Sequence, residues 1–131
     1  MATMDLTQEN FEKTVNESPM VIVDFWAPWC GPCKGFAPVY EHASEARPEV
    51  VFAKVNTDEQ QELAGAFGIR SIPTLMVFRD KVILFQQAGA LPRTALDQVI
   101  TQAKSLDMAK VQEEIRNQNN ESKEGEAREQ K

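Results

Sequence analysis

The run of seven residues from Met20 to Trp26 constrains the fold of this chain more than any other feature. It is nearly continuous in apolar residues and rich in residues that favour β-structure, which predicts a strand buried on both faces. A Cys-Gly-Pro-Cys sequence follows after a short loop. Beyond it, the spacing of Phe36, Val39, Tyr40 and Ala43 predicts a helix from about Cys30 to Ala46, with Pro38 in its interior.

The other segments predict helices that alternate with strands, which implies parallel pairing and right-handed crossovers. Further strands are predicted at 4–7, 50–55, 74–78 and 82–87, and helices at 8–16, from Asp58 to Gly68, and from Pro92 to about 106. Thr7 is predicted to cap the first of these helices, and Asp58 the second together with Gln61. Only residues 79–81 separate the last two strands, so we expect an antiparallel hairpin and a mixed sheet.

The composition changes after about residue 106. Residues 116–131 contain no aromatic and no β-branched residue and are dense in Glu, Gln, Asn and Lys, so we expect them to be disordered. Met108, Val111 and Ile115 predict that the last helix first continues for two or three turns. We therefore predict one domain over residues 1–106, followed by a helical extension and polar tail over 107–131.

Charge and composition exclude several classes of function. The net charge of -6 argues against a nucleic-acid partner, and the longest apolar stretch, Met20 to Trp29, is too short to span a membrane. Two cysteines and the single His42, which we expect at the surface, cannot supply a four-ligand zinc site unless carboxylates or a second chain contribute, so no metal and no other cofactor is predicted. The first ten residues lack the pattern of a signal peptide. We therefore expect the cytoplasm, where a close cysteine pair is more often catalytic than structural.

Disulfide reduction requires one thiolate that attacks and a second thiol that resolves the mixed disulfide. A Cys-x-x-Cys pair also occurs in metal ribbons and haem sites, but here it follows a buried strand and opens a helix, whose N-terminus stabilises a thiolate. Cys30, beside the exposed loop, is predicted to be the nucleophile and Cys33 the buried resolving thiol. Gly31 and Pro32 lie between them, and Pro32 removes one N–H donor, which favours donating electrons over oxidising substrates.

Several separated segments together resemble the thioredoxin family over about residues 4–105. They are Asp24 to Lys34, Lys54, Ile72-Pro73-Thr74 and Gly89-Ala90. Two further stretches are most similar to the bacterial thioredoxin 2 type, without its N-terminal zinc ribbon: Phe36-Ala-Pro38 and Phe67 to Thr74. The resemblance implies the thioredoxin fold, a mixed α/β sheet with a mostly parallel core, an antiparallel C-terminal hairpin and helices on both faces.

The resemblance also implies residue roles. Asp24 is expected to accept the proton of Cys33, with a pKa raised by burial and with Lys54 as its cationic partner; the alternative is a purely structural buried carboxylate. Pro73 is expected to follow a cis peptide bond that turns the backbone of Ile72 towards an extended substrate. The expected docking surface consists of Trp29, Ile72, Pro73, Gly89 and Ala90, while Trp26 supports the site by packing.

Two residues depart from the family pattern. Gly35 stands inside the helix after the cysteine pair, where a glycine costs about 0.5–1 kcal/mol relative to alanine. Lys81 stands in the hairpin where the family usually has glycine. If that position has a positive φ, lysine costs about 1–2 kcal/mol there.

The sequence thus predicts a monomeric protein-disulfide reductase that cycles between the Cys30/Cys33 dithiol and disulfide. Its expected partners are protein disulfides and an NADPH-dependent thioredoxin reductase, with neither nucleic acid nor membrane. Two alternatives stay open: an oxidant or isomerase, and a non-enzymatic binding module or co-chaperone.

Overall fold

The structure is a computed structural model that describes the backbone of residues 2–129 and the side chains as far as Asn119. Its elements, in chain order, are β1 Thr3–Asp5, α1 Phe11–Glu17, β2 Met20–Trp26, α2 Gly31–Ala46, β3 Val51–Asn56, α3 Gln61–Ala66, β4 Thr74–Arg79, β5 Val82–Ala88, α4 Arg93–Ser105 and α5 Met108–Glu129. The central strand β2 has the predicted bounds, and the other four predicted strands are present with ends shifted by one or two residues.

The strands form one mixed sheet in the order β1-β3-β2-β4-β5. Strands β1, β3 and β2 are parallel, whereas β4 runs antiparallel to β2 and β5 antiparallel to β4. The mixed α/β sheet is therefore as predicted, but its parallel part is limited to three strands. The reason is the loop between α3 and β4, which returns the chain along β2 in the opposite direction instead of crossing over.

Two apolar cores lie on opposite faces of the sheet, and β2 contributes to both because its side chains alternate between faces. Met20 and Ile22 pack against α2 and α4, whereas Val21, Val23 and Phe25 pack against α1 and α3. This arrangement explains the continuous apolar run in β2. It also places position 24 on the face that α2 covers.

The predicted starts of two helices are wrong. Helix α1 begins at Phe11, because Thr7 and Asn10 exchange hydrogen bonds between side chain and backbone and close a turn before it. Asp58 does not cap α3, which begins at Gln61. The side chain of Asn56 instead accepts from the backbone N–H of Asp58 and of the residue that follows, so this turn too precedes the helix.

The C-terminal segment also differs from the prediction. Arg79 Nη1 donates to the carbonyls of Ala103, Lys104 and Leu106, which holds the end of α4, and a separate helix α5 begins at Met108. The backbone of α5 is helical as far as Glu129, and Glu, Gln, Lys, Arg and Ala are good helix formers. The disorder expected from residue 116 stays a prediction. The last two residues of that expected tail lie outside the described residues. No helix in the described part of the chain is long and apolar enough to cross a membrane.

Candidate active site

The two cysteines lie at the N-terminus of α2 and are joined by a disulfide, with their Cα atoms 5.2 Å apart. Cys30 is the N-cap residue of the helix, and its Sγ accepts a hydrogen bond from the backbone N–H of Cys33 at 3.2 Å. Pro32 occupies the first turn, which contains no acidic residue. Both the helix dipole and this N–H therefore favour negative charge on the Cys30 sulfur.

Both sulfur-bearing side chains are buried in this disulfide form. Cys33 is 3% exposed, as predicted, but Cys30 is only 4% exposed. Cys30 thus follows the exposed Trp29, as predicted, but is itself buried in this form. The physical reason is packing, since the disulfide forms a small cluster with Ala27 against Trp26 and Ile72.

The peptide bond between Ile72 and Pro73 is cis, and this loop faces the disulfide. The carbonyl oxygen of Ile72 lies 3.7 Å from Cys30 Sγ. Behind it, the N–H of Gly89 donates to the carbonyl of Pro73 at 2.8 Å, and Gly89 has a φ of +104° that favours glycine. Gly89 and Ala90 are exposed. The structure thus places the Ile72 backbone beside the Cys30 sulfur, and the exposed Gly89 is hydrogen-bonded to the next residue of that segment.

Trp29, directly before Cys30, is 69% exposed. Its indole Nε1 donates to both carboxylate oxygens of Asp58, at 3.1 and 3.3 Å. Asp58 was predicted to be a helix cap, so sequence reasoning missed this contact. The two residues are far apart in the chain, and no local pattern signals the pairing.

Asp24 is 1% exposed, on the sheet face covered by α2. Burial raises the pKa of its carboxyl group to about 7, while the positive charge of Lys54 acts in the opposite direction. Within the described residues, neither carboxylate oxygen has a hydrogen-bond partner. Asp24 is therefore a carboxyl group that can take up and release a proton near neutral pH.

Lys54 pairs with Asp24 in the register of β2 and β3, but its side chain does not form an ion pair with that carboxylate among the described residues. Its Nζ lies 4.6 Å from the centre of the Trp26 ring, in a cation–π arrangement. The predicted partnership is thus limited to the effect of the Lys54 charge on the pKa of Asp24.

Tyr40 was predicted only as part of the apolar face of α2. Its buried hydroxyl lies 2.9 Å from the carbonyl oxygen of Ile22 and 2.7 Å from that of Ala53, so it bridges β2 and β3. Burial raises the pKa of Tyr40 well above its ordinary value, and the nearby charge of Asp24 raises it further. The apolar spacing of α2 explains why Tyr40 is buried but does not predict the hydrogen bonds of its hydroxyl group.

The structure gives no sign of a metal centre in the part it describes. No three His, Cys, Asp or Glu side chains of residues 2–119 gather in a way that could hold an ion. His42 is exposed, as predicted, and its Nε2 contacts the guanidinium of Arg93 on α4.

Comparisons with known proteins extend over most of the chain. The family model described as Thioredoxin matches residues 2–102. A Streptomyces coelicolor protein that carries the name thioredoxin 2 is 56% identical over 117 residues, which make up 89% of this chain and 87% of that protein. Thioredoxin 1 of a Nostoc species is 44% identical over 101 residues, covering 76% of this chain and 94% of the relative. A solved thioredoxin structure from Plasmodium falciparum superposes with a TM-score of 0.71 at 37% identity, covering 76% and 97% of the two chains.

Proposed function

The chain belongs to the thioredoxin family and is a thiol–disulfide oxidoreductase that reduces protein disulfides, and from this premise we propose the roles of its individual residues. One observation carries the proposal: Cys30 Sγ lies between the N–H of Cys33 and the carbonyl of Ile72, at 3.2 and 3.7 Å. The first group stabilises a thiolate, and the second belongs to a backbone segment that an extended substrate can pair with.

In the first step, the substrate docks against the surface formed by Trp29, Ile72, Pro73, Gly89 and Ala90. The Cys30 thiolate attacks one sulfur of the substrate disulfide. A bond forms between Cys30 and that sulfur, the substrate disulfide breaks, and its second sulfur leaves as a thiolate that takes up a proton.

In the second step, the Cys33 thiol gives its proton to the Asp24 carboxylate, and the Cys33 sulfur attacks Cys30. The mixed disulfide breaks, the substrate sulfur leaves as a thiolate that takes up a proton, and the Cys30–Cys33 disulfide forms. Two electrons have then passed from the protein to the substrate. Asp24 suits this role because its pKa of about 7 lets it accept a proton at neutral pH. Lys54 favours the ionised form of Asp24 through its charge.

The access of substrate to Cys30 is part of the proposal, since that residue is 4% exposed in the disulfide. Reduction breaks the sulfur–sulfur bond and leaves the Cys30 side chain free to take other staggered rotamers. We expect one of these to expose Sγ to the docking surface in the reduced protein.

The direction of electron flow follows from the loop between the cysteines. Gly31 contributes no side-chain donor, and Pro32 has no N–H, so few donors stabilise the Cys30 thiolate. A less stabilised thiolate makes the dithiol a better electron donor, which favours a reductase over an oxidant.

The partners follow from the same chemistry. A reductase must be returned to its dithiol form, and we propose that an NADPH-dependent thioredoxin reductase does this. The cytoplasm is the proposed compartment because its reducing pool keeps such a pair in the dithiol form, and the proposed oligomeric state is a monomer.

A trapping experiment tests these roles. Cys33→Ser is expected to attack a protein disulfide and remain joined to the substrate through Cys30, whereas Cys30→Ser is expected neither to join nor to reduce it. Both outcomes are read by mass spectrometry under non-reducing conditions. In the reduced wild type, ultraviolet titration of the thiolate should give a Cys30 pKa below the value of about 8.5 for free cysteine. A Cys30 pKa at or above that value, or trapping through Cys33, would refute the proposal.

A further inference from the structure

An open cleft of about 440 Å³ lies next to the docking surface. The loop between α3 and β4 forms one wall, through Arg70 and Ser71, and the end of β5 forms another, through Gln86 and Ala88. Ser71 directly precedes Ile72, whose carbonyl is 3.7 Å from Cys30 Sγ. The cleft therefore begins within one residue of the site where the substrate sulfur must arrive.

The charge at this cleft is positive. Arg70 is the cation among its lining residues, and no carboxylate of the described side chains lines it. Arg70 is exposed and forms no ion pair in the described part of the chain. Other arginines have partners there: Arg47 binds Asp97, and Arg79 binds three backbone carbonyls. The guanidinium of Arg70 is thus available to an external anion, in a chain whose net charge is -6.

The spacing along the loop determines which substrate residue reaches Arg70. The sulfur attacked by Cys30 comes opposite Ile72, because that is where Cys30 lies. Arg70 precedes Ile72 by two positions, with a bend at Ser71 and Ile72. Two residues of chain span at most about 7 Å, so a substrate residue two positions from the attacked cysteine lies within reach of the Arg70 side chain. It is the residue after or before the cysteine according to the direction of the substrate strand.

We propose that this cleft is a specificity subsite in which Arg70 binds a carboxylate of the substrate, so that disulfides flanked by Asp or Glu are preferred. The carboxylate lies two residues from the attacked cysteine and accepts hydrogen bonds from the guanidinium. The inference rests on the proposed function, since it requires attack by Cys30 on a substrate beside Ile72. It adds a side-chain contact to a docking surface that otherwise recognises mainly backbone.

A pair of peptides tests the subsite. Each carries one cysteine as a thiopyridyl disulfide, whose neutral leaving group absorbs light on release, and each has either Glu or Lys at both positions two residues away. The reduced protein is mixed with each peptide at low salt, and the ratio of second-order rates, Glu peptide over Lys peptide, is measured. The variants are Arg70→Gln, Arg70→Lys and, as a control with the same change in net charge, Arg116→Gln on α5.

Arg70→Gln should lower the ratio about fivefold, as expected for a partly exposed ion pair, and high salt should reduce this difference. Arg70→Lys should keep most of the ratio, and Arg116→Gln should change it less than twofold. Equal changes in Arg70→Gln and Arg116→Gln would overturn the subsite, because they would reflect overall charge alone. If the wild type released the leaving group from neither peptide, the proposed function itself would fail, which is a distinct outcome.

Discussion

The indole of Trp29 is hydrogen-bonded to the carboxylate of Asp58, directly beside the cysteine pair. Trp29 is 69% exposed, yet its Nε1 donates to both oxygens of Asp58 at 3.1 and 3.3 Å. An exposed aromatic side chain is ordinarily free to change rotamer. We therefore expect this charge-assisted contact to hold one edge of the proposed docking surface before the substrate arrives, which lowers the entropy cost of binding.

Asp58→Ala is expected to weaken substrate reduction without affecting the fold. The variant leaves Trp29 free to rotate, so kcat/KM on a protein disulfide should fall about two- to fivefold, which corresponds to about 0.5–1 kcal/mol. The free energy of unfolding should change by less than about 0.5 kcal/mol because the contact is exposed. Glu59→Ala is the matched control, since it removes the neighbouring exposed carboxylate. Equal effects of the two variants on kcat/KM would show that charge, not the Trp29 contact, is responsible.

The buried carboxyl group of Asp24 should make stability depend on pH. Its pKa is about 7 in the folded state against an ordinary value of 3.8, so between these values the folded state retains a proton that the unfolded chain has released. Stability therefore falls as pH rises through this window, by about 4 kcal/mol in total, and stays low above pH 7. Urea titrations at pH 4.5 and pH 8 should measure about 3 kcal/mol of this decrease, because the unfolded chain has already released most of its proton by pH 4.5.

Asp24→Ala tests both this effect on stability and the proposed catalytic role of the carboxyl group. The variant should lose the decrease between pH 4.5 and pH 8 and be more stable than the wild type at pH 8, although a new cavity offsets part of the gain. It should also resolve mixed disulfides more slowly, because Cys33 loses its proposed proton acceptor. Asp58→Ala, which removes an exposed carboxylate, should retain the decrease. A wild type whose stability is constant over this range would contradict the raised pKa of Asp24.

Sequence reasoning succeeded where one signal determines the structure. The apolar run predicted the bounds of β2, because a strand buried on both faces is apolar throughout. The helical period after Cys30 predicted α2, because a helix buried on one face has apolar residues at regular spacing. It failed where a polar or charged side chain has several possible partners. Asp58 binds a tryptophan instead of capping a helix, and Lys54 lies on the Trp26 ring although its backbone pairs with Asp24. Backbone register does not determine where a long side chain ends.

The hairpin between β4 and β5 allows a test of backbone strain. Asp80 and Lys81 have φ values of 50° and 70°, and they form the two-residue turn between the paired residues Arg79 and Val82. Such turns favour glycine at the second position because its φ is positive. Lys81→Gly should therefore raise the free energy of unfolding by about 0.5–1 kcal/mol.

The control for this change is Lys81→Ala, which removes the same charge but keeps a Cβ at positive φ. It should leave stability within about 0.5 kcal/mol of the wild type or lower it. Both variants are compared by urea unfolding under the same conditions. An equal gain in both would assign the effect to charge and not to backbone strain.

Truncation tests which part of α5 belongs to the folded domain. Met108 is 8% exposed, Val111 and Ile115 are half-buried, and the residues from 117 to 119 are exposed. Gln112 borders a cleft with Pro19 and Asp80, at the end of β2 opposite the cysteines. Deleting residues 117–131 should therefore leave disulfide reduction unchanged and alter the free energy of unfolding by less than about 0.5 kcal/mol.

Deleting residues 107–131 should behave differently, because it also removes the three apolar side chains at 108, 111 and 115. Uncovering the surface beneath them should cost about 2–3 kcal/mol while the redox site stays intact. Thermal unfolding of the two truncated proteins, beside the full chain, distinguishes these cases. A melting temperature several degrees lower for the shorter deletion would mean that residues beyond 116 also pack on the domain, and the boundary of the stabilising helix would have to move towards the C-terminus.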